Sequence, residues 1–248
     1  MVSLVAVAAG DPGTLMLDEL GRISIWRNHK LHFVVGIKDK VVQIAAGRNH
    51  GAILTEKGEV LIGNFFDLMS LQGSMVVASD WLEAKRGIRG KVCQVGCQQE
   101  STVALTKEGK VWEWNEPASM LGNHEGDYSI SVRRVKQVGE DIVQIAVGGW
   151  HSLCLDKNGI VWRWGNNKEG QTEPEVAEQI AGRVVQVAAG RWHSLALTDR
   201  GEVWTWGKVI GEHPPKVSRD PSGKQFLLQY KDRSIDKPWQ LSNIDSSK

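Results

Sequence analysis

One phrase recurs five times in this chain, and its recurrence limits the fold more than any single motif does. Its clearest copy is "VVQVAAGRWHSLALTDRGEVWTWG". Aligning on that phrase gives repeat cores at 4–27, 41–64, 91–115, 142–165 and 184–207. A late glycine is present in every copy: Gly21, Gly58, Gly109, Gly159 and Gly201. An earlier one, Gly10, Gly47, Gly148 and Gly190, is replaced by Gln98 in the third copy. Three residues after it stand His50, His151 and His193, with Gly13 and Ser101 in the other two copies. Self-similarity of this kind marks an array of units, none of which can bury its apolar face alone.

Each copy reads as three short strands. The first, as in "VVQVAA", is apolar with small residues, which suits crowded strands. "HSLALT" and "EVWTW" alternate with the period of two of half-buried strands. Between them "TEKGE", "TKEGK", "DKNGI" and "TDRGE" read as hairpin loops, with Gly where a positive φ is needed and a Thr or Asp at the start. The first-glycine positions are spaced by 37, 51, 50 and 42 residues. All-β repeats near this length predict a propeller with one four-stranded blade per repeat. Residues 1–248 are therefore expected to form a single all-β propeller domain of about five four-stranded blades, six being the alternative. Because "EPEVAEQIAG" precedes the fifth core, a blade is expected to begin upstream of its first strand. The C-terminal segment 225–248, with "KPWQLSNID", is then expected to pair with the N-terminal strands and close the ring, leaving no open sheet edge.

The bulk numbers exclude more than they identify. A net charge of +1 gives no general attraction to nucleic acid or to an acidic membrane surface. Three cysteines in 248 residues do not suggest a disulfide framework, and no apolar run nears the length of a membrane helix. The apolar start "MVSLVAVAAGD" lacks a basic flank and matches "VVQVAAGR", so it reads as a strand rather than a secretion signal. A cytoplasmic monomer without cofactor or metal is expected, bound to neither membrane nor nucleic acid.

Most of the chemically tempting residues fall at repeat-equivalent places. Trp112 and Trp114, Trp162 and Trp164, and Trp204 and Trp206 each share one strand face, where packing between neighbouring blades is expected. His50, His151 and His193 come one per blade, which suits imidazoles that satisfy backbone groups at their strand starts better than a metal ring. Cys93, Cys97 and Cys154 align with Val42, Ala46 and Ile53, and so read as small core residues. No nucleophile elbow, phosphate loop or His-Glu-x-x-His stands anywhere, and no catalytic residue is assigned.

The phrases "AAGRWHSLALTDRGEVWTWG" and "VGGWHSLCLDKNGIVWRWGNNKEGQ" resemble the regulator-of-chromosome-condensation repeat family. That family's pattern runs Gly-x-x-His-Ser-x-x-Leu, a Gly turn, then aromatic-x-Trp-Gly. The resemblance covers about residues 4–207 and is strongest in the second, fourth and fifth repeats. It implies a propeller that binds partners rather than an enzyme: members exchange nucleotide on a small GTPase, contact chromatin, cap a hydrolase or recruit ubiquitin-pathway proteins. Members are commonly seven-bladed, and this chain is shorter.

One set of positions is left free by the architecture. Between the first Gly and the His lie Asp11 and Pro12, Arg48 and Asn49, Gln99 and Glu100, Gly149 and Trp150, and Arg191 and Trp192. They vary from copy to copy at one strand-to-strand turn, and Trp and Arg are the types that dominate binding hot spots. The expected function is non-enzymatic binding of another protein through a rim made by Arg48, Asn49, Gln99, Glu100, Trp150, Arg191 and Trp192. In the family this rim carries partner contacts. The alternative is a lectin-like or small-ligand-binding propeller that uses exposed Trp. The inserts at 65–90, with Trp81, Lys85, Arg86 and Arg89, and at 208–236 form a second candidate region.

Overall fold

A β-branched and aromatic alternation broken by Gly turns folds each repeat into three antiparallel strands joined by tight hairpins. The computed structural model describes residues 3–10, 13–27, 29–64, 76–78, 82–84, 87–115, 132–172, 180–208, 218–219, 225–226 and 235–241. Asp11, Pro12, Trp81, Lys85 and Arg86 lie outside the described residues, as does most of the 208–236 insert. The chain divides into two units, Met1–Ile145 and Ala146–Lys248.

The first unit holds the sheets of the first three repeats. The first repeat orders Leu4–Gly10, Gly13–Asp18, Ile23–Arg27 and Lys30–Val35, and Val76–Ala78 from the 65–90 insert pairs in parallel with the last of these. The second orders Val41–Ala46, His50–Thr55, Val60–Asn64 and Leu82–Ala84. The third orders Val92–Cys97, Ser101–Thr106, Val111–Asn115 and Arg133–Arg134. The fourth repeat, whose first strand Ile142–Val147 begins as the first unit ends, continues with His151–Asp156 and Val161–Gly165. The fifth, in the second unit, orders Val184–Ala189, His193–Thr198, Val203–Gly207 and Ile235–Leu241. A small ribbon pairs Ser218–Arg219 with Gln225–Phe226.

This order corrects the expected closure. Ile235–Leu241 pairs with Val203–Gly207 as the fourth strand of its own repeat, not with the N-terminal strands. The reason is that a fourth strand follows its third: Lys30–Val35 hairpins directly back onto Ile23–Arg27. The first repeat is thus complete without a strand from the far end.

Consecutive repeats bury one apolar face against the next. Leu15, Leu17, Ile23 and Ile25 of the first repeat meet Val41, Ile44 and Ile53 of the second. Ala52, Leu54, Val60 and Ile62 of the second meet Val92, Val95, Ala104 and Trp114 of the third. In the second unit Leu153, Leu155 and Val161 meet Val184, Val187, Ala196, Trp204 and Trp206. The indoles at 114, 204 and 206 therefore pack between repeats. Side-chain amides stitch first strands together. The Gln43 Nε2 donates to the Val95 carbonyl at 3.0 Å while its Oε1 accepts from the Val95 N–H at 3.0 Å. Gln94 does the same to Ile145, at 3.0 and 2.9 Å. In the first repeat Ala6 occupies the place of this glutamine.

A register shift recurs in the first strand of the first, second, third and fifth repeats. This bulge turns one residue outward, so Val5, Val42 and Val185 are exposed. It corrects the reading of Cys93, which stands at that place and is exposed; Cys97 is half-buried and Cys154 buried.

The late glycines are required by conformation and by space. All five have φ between +71° and +90°. A Cβ on Gly58 would lie 3.0 Å from Val92 N, and one on Gly159 would lie 3.0 Å from Val184 O, so the hairpin tip touches the next repeat's first strand. A Cβ on Gly201 would meet nothing within 4 Å. Gly201→Ala should therefore cost roughly 1–2 kcal/mol, the left-handed penalty alone. Gly159→Ala should cost about 2–4 kcal/mol because crowding adds to it. Urea unfolding of both variants checks this, and equal losses would contradict the crowding account.

Candidate functional site

The early glycine and the histidine three residues on form one device. A Cβ on Gly148 would meet the His151 Cε1 at 2.8 Å and would collide with the Gly190 carbonyl of the next repeat. Gly47 stands in the same relation to His50 and to the Gln98 carbonyl. Glycine thus lets the imidazole fold back over the chain and lets the neighbouring turn approach. The imidazole then crosses to the next repeat. His50 Nε2 lies 3.0 Å from the Thr102 hydroxyl, and His151 Nε2 lies 2.8 Å from the Ser194 hydroxyl. The partner is thus a hydroxyl of the following repeat, which corrects the expectation of backbone groups at the strand start.

In the second unit this contact belongs to a buried network. Ser194 donates its only hydroxyl proton to the Gln171 carbonyl at 3.1 Å, and the Trp206 indole N–H donates to the same oxygen at 3.0 Å. His151 must then be the donor to Ser194, which fixes the proton on Nε2 and leaves Nδ1 bare and buried. Gln171 ends the "NNKEGQ" turn and is fully buried. Burial, with neighbouring His193 adding to it, lowers the His151 pKa from 6.5 to about 4. Burial also lowers that of His193.

Above this network lies the Trp-rich turn pair. Trp150 and Trp192 are half-buried and stacked, with ring centroids 6.2 Å apart and planes 23° apart. The exposed Arg191 guanidinium carbon sits 5.5 Å from the Trp192 ring centre. Both turns are held from below by the ends of the third strands. Asn166 N–H donates to the Trp150 carbonyl and Lys208 N–H to the Trp192 carbonyl, each at 2.9 Å. Gly165 and Gly207 precede these donors with φ of +108° and +86°. A Cβ on Gly165 would lie 2.7 Å from the Trp150 carbonyl. The Gly that follows Trp-x-Trp in these two repeats is therefore what seats the Trp turns.

The remaining predicted positions belong to the first unit. Arg48 and Glu100 are exposed, Gln99 is half-buried, and Asn49 is buried at 9% exposure, which leaves it little surface for a partner. Within the second unit the structure brings Trp150, Arg191 and Trp192 together. Sequence reasoning missed the residues beneath them, Gln171 and Ser194, although both lie in the quoted motifs. Trp114, Trp164, Trp204 and Trp206 are buried, so their faces offer no sugar platform. Among the described residues no group of three His, Cys, Asp or Glu side chains is placed to hold a metal ion.

Comparison with known proteins follows the same motifs. The regulator of chromosome condensation (RCC1) repeat matches residues 142–171 and 184–208. Human regulator of chromosome condensation is 44% identical over 171 residues, covering 65% of this chain and 41% of that protein. The human E3 ubiquitin-protein ligase HERC2 is 31% identical over 180 residues, 68% of this chain but 4% of the ligase. The chain thus spans less than half the length of these curated relatives. Among solved structures, human WBSCR16 superposes with a TM-score of 0.67 at 18% identity, covering 97% of this chain and 82% of that one. Prp20p from Saccharomyces cerevisiae gives 0.66 at 18%, covering 98% and 64%. At that identity the likeness speaks for the fold, which is all-β and of the propeller class.

The His151 device generates a pH dependence. Its folded pKa lies below the unfolded 6.5, so the stability it confers is complete above pH 6.5 and is lost as pH falls toward about 4. The loss attributable to this group is on the order of 3 kcal/mol, at 1.36 kcal/mol per pKa unit. Thermal melts between neutral and acid pH should show wild type losing more stability than His151→Gln. Parallel pH profiles for the two proteins would refute this assignment.

Proposed function

Because the chain carries regulator-of-chromosome-condensation repeats, we propose that it is a non-enzymatic protein-interaction propeller that binds a partner through the turns between its first and second strands. The observation that carries this reading is the Trp150–Trp192 stack capped by Arg191. Trp114, Trp204 and Trp206 are consumed between repeats, but these two stand at a turn, half-buried. Their backbone is held by Asn166 and Lys208 and their rings by each other, so little side-chain entropy remains to be lost on binding. Aromatic and Arg side chains fixed in this way are the usual anchors of a protein interface.

Relatives support the reading. Prp20p has been crystallised with attention to its binding of Gsp1p and histones, and yeast RCC1 has been seen bound to Kap60. This chain is also similar over its repeats to a protein named Ras guanine nucleotide exchange factor C in Dictyostelium discoideum, at 25% identity, and to an E3 ubiquitin-protein ligase. What these proteins share with this chain is the repeat, which supports a binding role over a catalytic one. Arg48, Gln99 and Glu100 are proposed to extend the contact turn by turn, Asn49 contributing through the turn's shape. A cytoplasmic setting fits the sparse cysteines.

Two variants test the proposal against a lysate or a purified candidate partner. Trp150→Ala/Arg191→Ala/Trp192→Ala should lose capture, each anchor removing about 2 kcal/mol or roughly 30-fold in affinity. Arg48→Ala/Glu100→Ala should weaken the same capture less. Circular-dichroism melts establish that both remain folded. Undiminished capture by the folded triple variant would remove this turn pair as the binding site.

A further inference from the structure

The late hairpin glycines are preceded by Leu20, Lys57, Glu108, Asn158 and Arg200. The fourth turn thus differs from the others: it sets an asparagine before glycine, and no other Asn-Gly stands in the chain. A glycine in that place leaves its backbone nitrogen open to the asparagine side chain, because no Cβ stands in the way. Asn158 is exposed, and its carboxamide makes no hydrogen bond among the described residues. Other asparagines are held. Asn49 is buried, while the Asn166 and Asn167 side chains accept from the Lys168 and Thr172 N–H groups, each at 2.8 Å.

We propose that Asn158 is a site of spontaneous covalent modification, converted through a cyclic imide to isoaspartate and aspartate. The Gly159 nitrogen gives up its proton to solvent and attacks the Asn158 Cγ. The bond from Cγ to the side-chain nitrogen breaks, and that nitrogen takes up a proton and leaves as ammonia. Water then adds to one of the two imide carbonyls, and the bond from that carbon to the ring nitrogen breaks. Opening at the former side-chain carbonyl gives aspartate, and opening at the former main-chain carbonyl gives isoaspartate. Water is the sole co-reactant. In the closed turn the Gly159 N–H donates to the Asp156 carbonyl at 3.1 Å, and Arg183 Nη2 donates to the Lys157 carbonyl at 2.6 Å. The attack therefore proceeds from the moments when this turn opens.

The two products act differently on the turn. Asp156 Oδ1 accepts from the Asn158 N–H at 2.8 Å and from the Ile160 N–H at 2.9 Å, while its Oδ2 accepts from the Trp162 indole at 3.3 Å. Isoaspartate moves the side-chain methylene into the main chain between those two N–H groups, so one oxygen no longer spans both. Asp156 is buried, and a buried carboxylate that loses a donor is costly. The Gly159 tip also lies against the Val184 carbonyl and the Arg183 stem of the next repeat, so a longer turn disturbs that joint. Aspartate keeps the original backbone length and all of these bonds. Isoaspartate therefore loosens the contact between the fourth and fifth repeats, and aspartate does not.

Peptide mapping by mass spectrometry, after incubation of the folded protein in mildly alkaline buffer, reads the conversion directly. Most of the new acid, and most of the isoaspartate labelled by an isoaspartyl methyltransferase, should map to Asn158. Arg183→Ala, checked for folding by circular dichroism, should speed the conversion about fivefold, the change in open population expected when one hydrogen bond is lost. Asn158→Asp, which reproduces the aspartate product, should melt close to wild type, whereas the isolated isoaspartate fraction should melt lower. Conversion at Asn158 no faster than at the other asparagines overturns the proposal, and so does an unchanged rate in folded Arg183→Ala. An isoaspartate fraction that melts with Asn158→Asp overturns the assigned effect on the joint.

Discussion

Every repeat in this chain is apolar on both faces of its sheet, and that constraint governs the rest. A sheet of three or four short strands with two greasy sides has no stable existence in water by itself. Its second and third strands must bury one side against the repeat before and the other against the repeat after. The Trp-x-Trp strand, the small residues of the first strand and the hairpin glycine all follow from it. Burial alone would leave the sheets free to slide. The glutamine amides and the imidazole-to-hydroxyl contacts fix the register, because a hydrogen bond is directional and is lost when the sheets slide.

Much of this is legible in the sequence because it obeys a period. The hairpin glycines recur where φ must be positive, and the alternating "VWTW" type of strand shows which residues share a face. The parts that escape are those whose meaning lies in the next repeat. A glutamine inside an apolar strand recurs as Gln43, Gln94, Gln144 and Gln186, a signal that was present but whose partner is a backbone some fifty residues away. The Ser or Thr after the histidine position was likewise visible as Thr102 and Ser194. Cys93 misled because the alignment carries apolar character but not the bulge that turns the residue out. The C-terminal strand misled because its pairing depends on whether a fourth strand precedes or follows the other three, and local pattern does not carry that choice.

The candidate site follows the same division. That the turn residues vary is readable from one chain, since the architecture demands Gly and His there but nothing between them. That Trp150 and Trp192 stack on each other is not readable, because it depends on the approach of two successive turns that Gly148 and Gly149 permit. The same glycine-and-imidazole device that joins the fourth and fifth repeats thus also brings their variable turns within ring-stacking distance. Architecture and recognition share their supports here, so a substitution below the turns can act on binding without touching a partner.

Ala6 gives the array a direction. Where the second and third repeats each hold the next one with an amide, the first repeat has a methyl group in that place. The boundary between the first and second repeats therefore rests on side-chain packing and on the Val41 N–H bond to the Gly21 carbonyl at 3.3 Å, without the amide clamp. Where stability is a sum of neighbour terms, a boundary with fewer such terms opens more readily. Amide protons of Leu4–Gly10 and Gly13–Asp18 would then exchange with solvent ahead of their counterparts in the second and third repeats.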